Sequence, residues 1–152
     1  MLLDNSKPCQ IGMIVKDVEK SKAQWAEFLG VPEPPISLLG DYSVTQTRLR
    51  GLPAPDADCR MAFFNLENIQ LELIEPSPAP SAWREYLDEK GEGIHHYGYN
   101  VEDIKKSIEN MKNAGFELIQ NGTYGDGSGA YAYFDCREKL GCFCELLCSF
   151  KK

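Results

Sequence analysis

QIGMIVKDVEKS, from Gln10 to Ser21, lies over HYGYNVEDIKKS, from His96 to Ser107, without a gap and at a constant offset of 86 residues. In that overlay Gly12 meets Gly98, Val15 meets Val101, Asp17 meets Asp103, and Lys20 with Ser21 meets Lys106 with Ser107. A gapless match of this length marks an internal duplication, so the chain is read as two copies of one unit. Each copy opens as a short apolar strand, then an Asp placed to cap a helix, then an amphipathic stretch. Val18, Trp25 and Phe28 are expected to line the buried stripe of the first helix, and Ile104, Ile108 and Met111 that of the second. Gly30 and Gly115 stand where C-terminal caps belong.

Working outward, AFFNLENIQLELIE from Ala62 and AYFDCREKLGCFCELL from Ala132 are both strand pairs around a polar turn. Their offset is 70 at the alanines and 73 at Glu72 and Glu145, which predicts a longer connection around Arg137 to Leu140 in the second copy. DYSVTQTRLR, Asp41 to Arg50, and FELIQNGTY, Phe116 to Tyr124, supply one more extended segment each. The expected fold is α+β: two βαβββ modules forming one curved, mostly antiparallel sheet in a single domain. Module one covers about 7–76, a linker about 77–92, and module two about 93–150. The join PSPAPSAWREYLDEKGEG, opening at Pro76, begins with three prolines and holds an expected short helix from Ser81 to Lys90.

The 152 residues carry 16 basic and 23 acidic side chains, a net charge of -7 that disfavours nucleic acid and anionic membranes as partners. The opening MLLDNSKPCQ has no leader pattern, and no stretch approaches the roughly 20 apolar residues of a membrane span. A cytoplasmic location is therefore expected. Without a secretory segment the six cysteines are expected to be free thiols, with Cys142, Cys144 and Cys148 packing as small apolar residues on one strand face. Neither half would bury much apolar surface alone, so the two sheets should join each other or those of a second chain.

Two copies brought face to face around a pseudo-twofold axis converge their matching inward residues. The polar matches are Gln10 with His96 and Glu72 with Glu145. Alternation puts Gln10, Gly12 and Ile14 on one face and His96, Gly98 and Asn100 on the equivalent one, with Glu75 and His95 pointing away. Two carboxylates buried side by side need a counter-charge. One divalent ion, with Zn, Ni, Co, Mn and Mg all acceptable to an amide, an imidazole and two carboxylates, supplies it. The glycine-rich NGTYGDGSG, Asn121 to Gly129, lacks the Lys and the following helix of a phosphate loop and is read as a loop beside the substrate mouth. Arg48, Arg50, Arg60 and Tyr131 are candidates to meet an acidic substrate group.

With QIGMIVKDVEKS, LELIEP, GEGIHHYGYNVEDI and GCFCELL in this order, nearly the whole chain resembles the vicinal oxygen chelate superfamily of glyoxalases, bleomycin-binding proteins and dioxygenases. The resemblance implies metal ligands at Gln10, Glu72, His96 and Glu145. It also implies a small-molecule substrate with adjacent oxygens or a thioester, and a homodimer. The run from LELIEP to GEGIHH is similar to methylmalonyl-CoA epimerase. That enzyme has His where this chain has Gln10, and its proton-transferring Glu has no counterpart in DYSVTQTRLR. The set Gln, Glu, His, Glu is that of one branch of glyoxalase I, whose glutathione anchors fall here on Ile14, Pro76 and Glu92, none of which holds a carboxylate. Both relatives imply proton transfer next to a carbonyl through a metal-bound enediolate, by an isomerase, epimerase or lyase, with Glu145 as first choice of base and Glu72 as second. The rival from another class is a metal-free binding protein of the bleomycin-binding type.

Overall fold

The computed structural model describes residues 1–151. The first half of the chain forms β1 (Pro8–Ile14), α1 (Val18–Leu29), β2 (Ser37–Leu38), α2 (Tyr42–Thr45), β3 (Arg48–Leu49), β4 (Leu52–Pro53), β5 (Cys59–Asn65) and β6 (Gln70–Pro76). After α3 (Ala82–Lys90), the second half forms β7 (Gly93–Asn100), α4 (Ile104–Asn113), β8 (Glu117–Thr123), β9 (Gly129–Asp135), α5 (Arg137–Leu140) and β10 (Phe143–Ser149). No described helix is long and apolar enough to cross a membrane.

The duplicated aspartates start the two long helices in the same way. Asp17 accepts from Lys20 N–H at 3.1 Å and Asp103 from Lys106 N–H at 3.0 Å, each cap contributing about 1 kcal/mol. Gly30 closes α1 with φ 67°, a left-handed conformation that costs a side chain energy. Val18 and Ala26 are buried on the inner face of α1, and Leu29 packs there too. Phe28, expected in that stripe, is 79% exposed and lies edge-on against Trp25. The helical period explains the difference: Leu29, about 20° from Val18 around the helix, returns to its face, while Phe28 falls about 80° to the other side.

All strands join one curled mixed sheet in the order β2-β5-β6-β1-β7-β10-β9-β8-β3-β4. Each half contributes a βαβββ unit whose first and last strands pair in parallel, β1 with β6 and β7 with β10. The halves meet edge to edge where β1 runs antiparallel to β7. On the convex side, α1 covers a core containing Val15, Ala62, Phe64, Leu71 and Leu73. Its counterpart by α4 contains Val101, Ala132, Phe134, Cys144 and Leu146. The six thiols are free, and Cys136, Cys144 and Cys148 lie in this second core with Cys142 against it.

DYSVTQTRLR departs from the expected strand. Asp41 accepts from Ser43 N–H at 2.8 Å and starts the single-turn α2, since a short acidic side chain satisfies amides in a turn better than in a ladder. Arg50 and Gly51 then take φ 48° and 79°, the left-handed pair of a tight hairpin between β3 and β4. This hairpin crosses to the second half, where Arg48 and Leu49 pair with Asn121 and Gln120 of β8. The two-residue β2 is the strand that pairs with β5 in the first half. The interior of the cup is floored by Ile14, Ile74 and Trp83 together with Tyr131 and Tyr133. Trp83 comes from α3, so the connection between the halves also fills the cup.

Candidate metal centre

The register between β1 and β7 slips twice, and the slips are related by the duplication. Cys9 is the extra residue between the pairs Pro8–Tyr99 and Gln10–Gly98, and His95 is the extra residue between Gly12–His96 and Met13–Ile94. Each bulge immediately precedes a candidate ligand, Gln10 or His96, and re-aims it. His95 was expected to point away from His96, but the bulge turns it inward and both rings are fully buried. His95 Nδ1 lies 2.9 Å from His96 Nδ1, and its ring stacks on Phe143 at 4.6 Å.

The four candidate ligands come together from four adjacent strands. His96 Nε2 stands 2.9 Å from Gln10 Oε1, 2.8 Å from Glu145 Oε2 and 3.6 Å from Glu72 Oε1. Gln10 is held with its carbonyl oxygen toward the centre by an amide relay. Its Nε2 donates to Gln70 Oε1 at 2.7 Å, and Gln70 Nε2 donates to Asn65 Oδ1 at 2.8 Å. Glycine makes the room. Gly12 is the cross-strand partner of His96, and a Cβ there would overlap the imidazole, while one on Gly98 would come within 3.0 Å of Gln10 Cβ. Gly12→Ala is therefore expected to displace His96, weaken divalent-ion binding at least tenfold and lower stability by about 1–3 kcal/mol. Gly98→Ala should do less. Calorimetric titration of both variants with Zn²⁺ and their unfolding curves check this ranking.

Burial dominates the electrostatics. Desolvation pushes the Glu72 and Glu145 carboxyls well above the usual carboxylate range, with the neighbouring Glu145 charge adding to the effect on Glu72. Desolvation lowers His96 to about 3, so its approach to Glu145 is not an ion pair. His95 is also pushed down, by burial first and then by His96 and Arg137. Glu72 Oε1 and Glu145 Oε2 are buried without a hydrogen-bond partner. Two unpartnered carboxylate oxygens facing one ring nitrogen and one amide oxygen fit a divalent cation that accepts mixed N/O donors. Glu72, His96 and Glu145 offer ligand atoms within 4.8 Å of one another. With Nε2 turned to an ion, His96 Nδ1–H donates to His95 Nδ1, which fixes the tautomer and the ring.

The centre lies at the wall of a 780 Å³ cavity. Thr123, Tyr124, Gly125, Asp126 and Ser128, from the glycine-rich stretch, line its mouth together with Leu39 and Gly40. Gly40 and Gly125 meet there backbone to backbone, leaving no space for a side chain on either. Of the groups expected to meet an acidic substrate, Tyr131 lines the cavity but the three arginines do not. Arg50 pairs with Glu85 at 2.7 and 2.9 Å, Arg60 with Glu75 at 2.8 Å, and Arg48 donates to Gly51 O at 2.8 Å.

Sequence reasoning missed Gln70, Phe63 and Tyr133. Phe63 is the cross-strand partner of Glu72, and Tyr133 is that of Glu145. The offset of 70 that aligns Ala62 with Ala132 also aligns Phe63 with Tyr133, so the signal was present. Tyr133 accepts from Trp83 Nε1–H at 3.1 Å, and its hydroxyl partly offsets the upward push of burial on the Glu145 carboxyl.

The family model described as the glyoxalase/bleomycin resistance protein/dioxygenase superfamily matches residues 9–134. The chain belongs to this superfamily. Among its relatives in the superfamily, YqjC, an uncharacterized protein of Bacillus subtilis, is 30% identical over 137 residues, 90% of this chain and 87% of that one. The ethylmalonyl-CoA/methylmalonyl-CoA epimerase of Cereibacter sphaeroides is 26% identical over 139 residues, 90% of this chain and 92% of that one. A solved Streptomyces coelicolor methylmalonyl-CoA epimerase in complex with 2-nitronate-propionyl-CoA shares the superfamily fold at TM-score 0.67 and 17% identity. That match covers 96% of this chain and 99% of that one.

Proposed function

We propose that the chain is a divalent-metal-dependent isomerase, epimerase or lyase that moves a proton at the carbon next to a carbonyl, with Gln10, Glu72, His96 and Glu145 as ligands. The observation that carries this reading is the convergence of those four side chains, two of them carboxylates with unpartnered buried oxygens, at the wall of a large cavity. The epimerase name of the Cereibacter relative, with the shared fold of the Streptomyces epimerase, supports proton transfer beside a thioester carbonyl.

A divalent ion held there would supply Lewis-acid stabilisation for the charge that develops on the carbonyl oxygen. The chain's own groups do the rest. Glu145 accepts the carbon proton and returns it, as the carboxylate that stands at the cavity wall opposite the hydroxyl-bearing ring of Tyr133. Tyr133 is its cross-strand partner and the hydroxyl favours the ionised form, an influence that Phe63 cannot exert on Glu72. Gln10 and His96 stay fixed, one by the Gln70–Asn65 relay and the other by His95. Leu39, Met61 and Leu147 with the aromatic side chains shield the carbanionic centre from water.

The test is metal analysis of purified protein, followed by solvent deuterium exchange into 2-hydroxy-carbonyl compounds and acyl-CoA thioesters. About one bound ion per chain and ion-dependent exchange are expected. No stoichiometric ion after supplementation would overturn the reading in favour of a metal-free binding protein.

A further inference from the structure

The cavity wall is aromatic and acidic. Among the described residues that line it there is no lysine or arginine, and its charged groups are Glu72, Glu145 and Asp126. The nearby arginines are engaged with Glu85, Glu75 and a backbone carbonyl, so none is free to turn inward at no cost. A divalent ion bound by Glu72 and Glu145 would have its two positive charges matched by theirs, leaving no surplus for a further anion. The whole chain carries -7, so its long-range field also repels anions. A substrate carboxylate or phosphate drawn into this cavity would be desolvated with no partner, a loss of several kcal/mol.

The uncharged surfaces point the other way. Phe63, Trp83, Tyr131 and Tyr133 line the cavity, and Leu39, Met61 and Leu147 add aliphatic wall. A volume of 780 Å³ holds a body well beyond a three-carbon fragment. Resting on the metal-dependent reading above, we infer that the site selects an uncharged substrate. It is a neutral hydroxy-carbonyl compound whose two adjacent oxygens face Glu72 and Glu145 while an aromatic or branched apolar body lies against Phe63, Trp83 and Tyr131.

Mandelamide and mandelate test this, because they share a ring and two vicinal oxygens and differ in charge. Free zinc ions prefer the carboxylate, so a preference for the amide has to come from the protein. Zinc-loaded protein of verified ion content is titrated with each compound by calorimetry. Mandelamide is expected to bind at least about tenfold more tightly than mandelate. Equal or tighter binding of mandelate, or binding of neither, overturns the inference while the bound zinc leaves the metal-dependent reading standing. Protein that takes up no zinc overturns both.

Discussion

Glu145→Gln should keep the ion and lose the reaction: exchange of substrate hydrogen with solvent is expected to fall by about 10²–10⁴-fold, the usual contribution of a positioned general base. The amide retains an oxygen donor of the same reach, so ion affinity should drop far less than turnover. Glu72→Gln should show the reverse balance, because its cross-strand partner Phe63 has no hydroxyl to favour the ionised carboxylate as Tyr133 does for Glu145. Parallel measurement of zinc affinity and deuterium incorporation in the two variants separates the roles. Full exchange by Glu145→Gln with zinc bound would move the base elsewhere.

Stripping the ion should reverse the way stability depends on pH. In the ion-free protein the Glu72 and Glu145 carboxyls titrate above their unfolded values. The folded state then binds more protons than the unfolded one, and stability falls as pH rises from the unfolded carboxyl range through the raised values. The limiting slope is about 1.4 kcal/mol per pH unit for each proton of difference. His95 and His96, pushed down, oppose this only below the ordinary histidine range, where stability is lost as pH falls. A bound ion requires both carboxylates ionised, so its binding releases protons and strengthens as pH rises. At an ion concentration about 100 times Kd the gain is roughly 2.7 kcal/mol, on the order of 5–10 °C in Tm for a chain of this size. Unfolding curves from pH 6 to 9 with chelator and with zinc should diverge; parallel curves would mean that the carboxylates do not hold an ion.

The duplication made much of this legible in the sequence. It identified the strands β1 and β7, the caps Asp17 and Asp103, and the four polar residues that meet, because equivalence under a repeat says which residues face each other before any geometry is known. What it could not carry was backbone irregularity. The bulges at Cys9 and His95 leave no compositional mark, so a strict two-residue period turned His95 the wrong way. The β3–β4 hairpin was missed for another reason: its partner β8 lies about 70 residues on, and local pattern says nothing about so distant a ladder. Tyr133 was passed over because ring-bearing residues on a strand read as core, and only its place opposite Glu145 makes it functional.

Gln10 against His96 and Phe63 against Tyr133 are two of the places where the related halves disagree around the centre. Had both pairs stayed identical, a molecule near the axis could have bound in two equivalent orientations, and either carboxylate would have met it with the same neighbours. With one flank carrying amide and phenyl and the other imidazole and phenol, those two orientations are no longer equivalent, and the two carboxylates stand in different surroundings. Divergence between the flanks is thus what gives an ancestrally symmetric cup a single polarity.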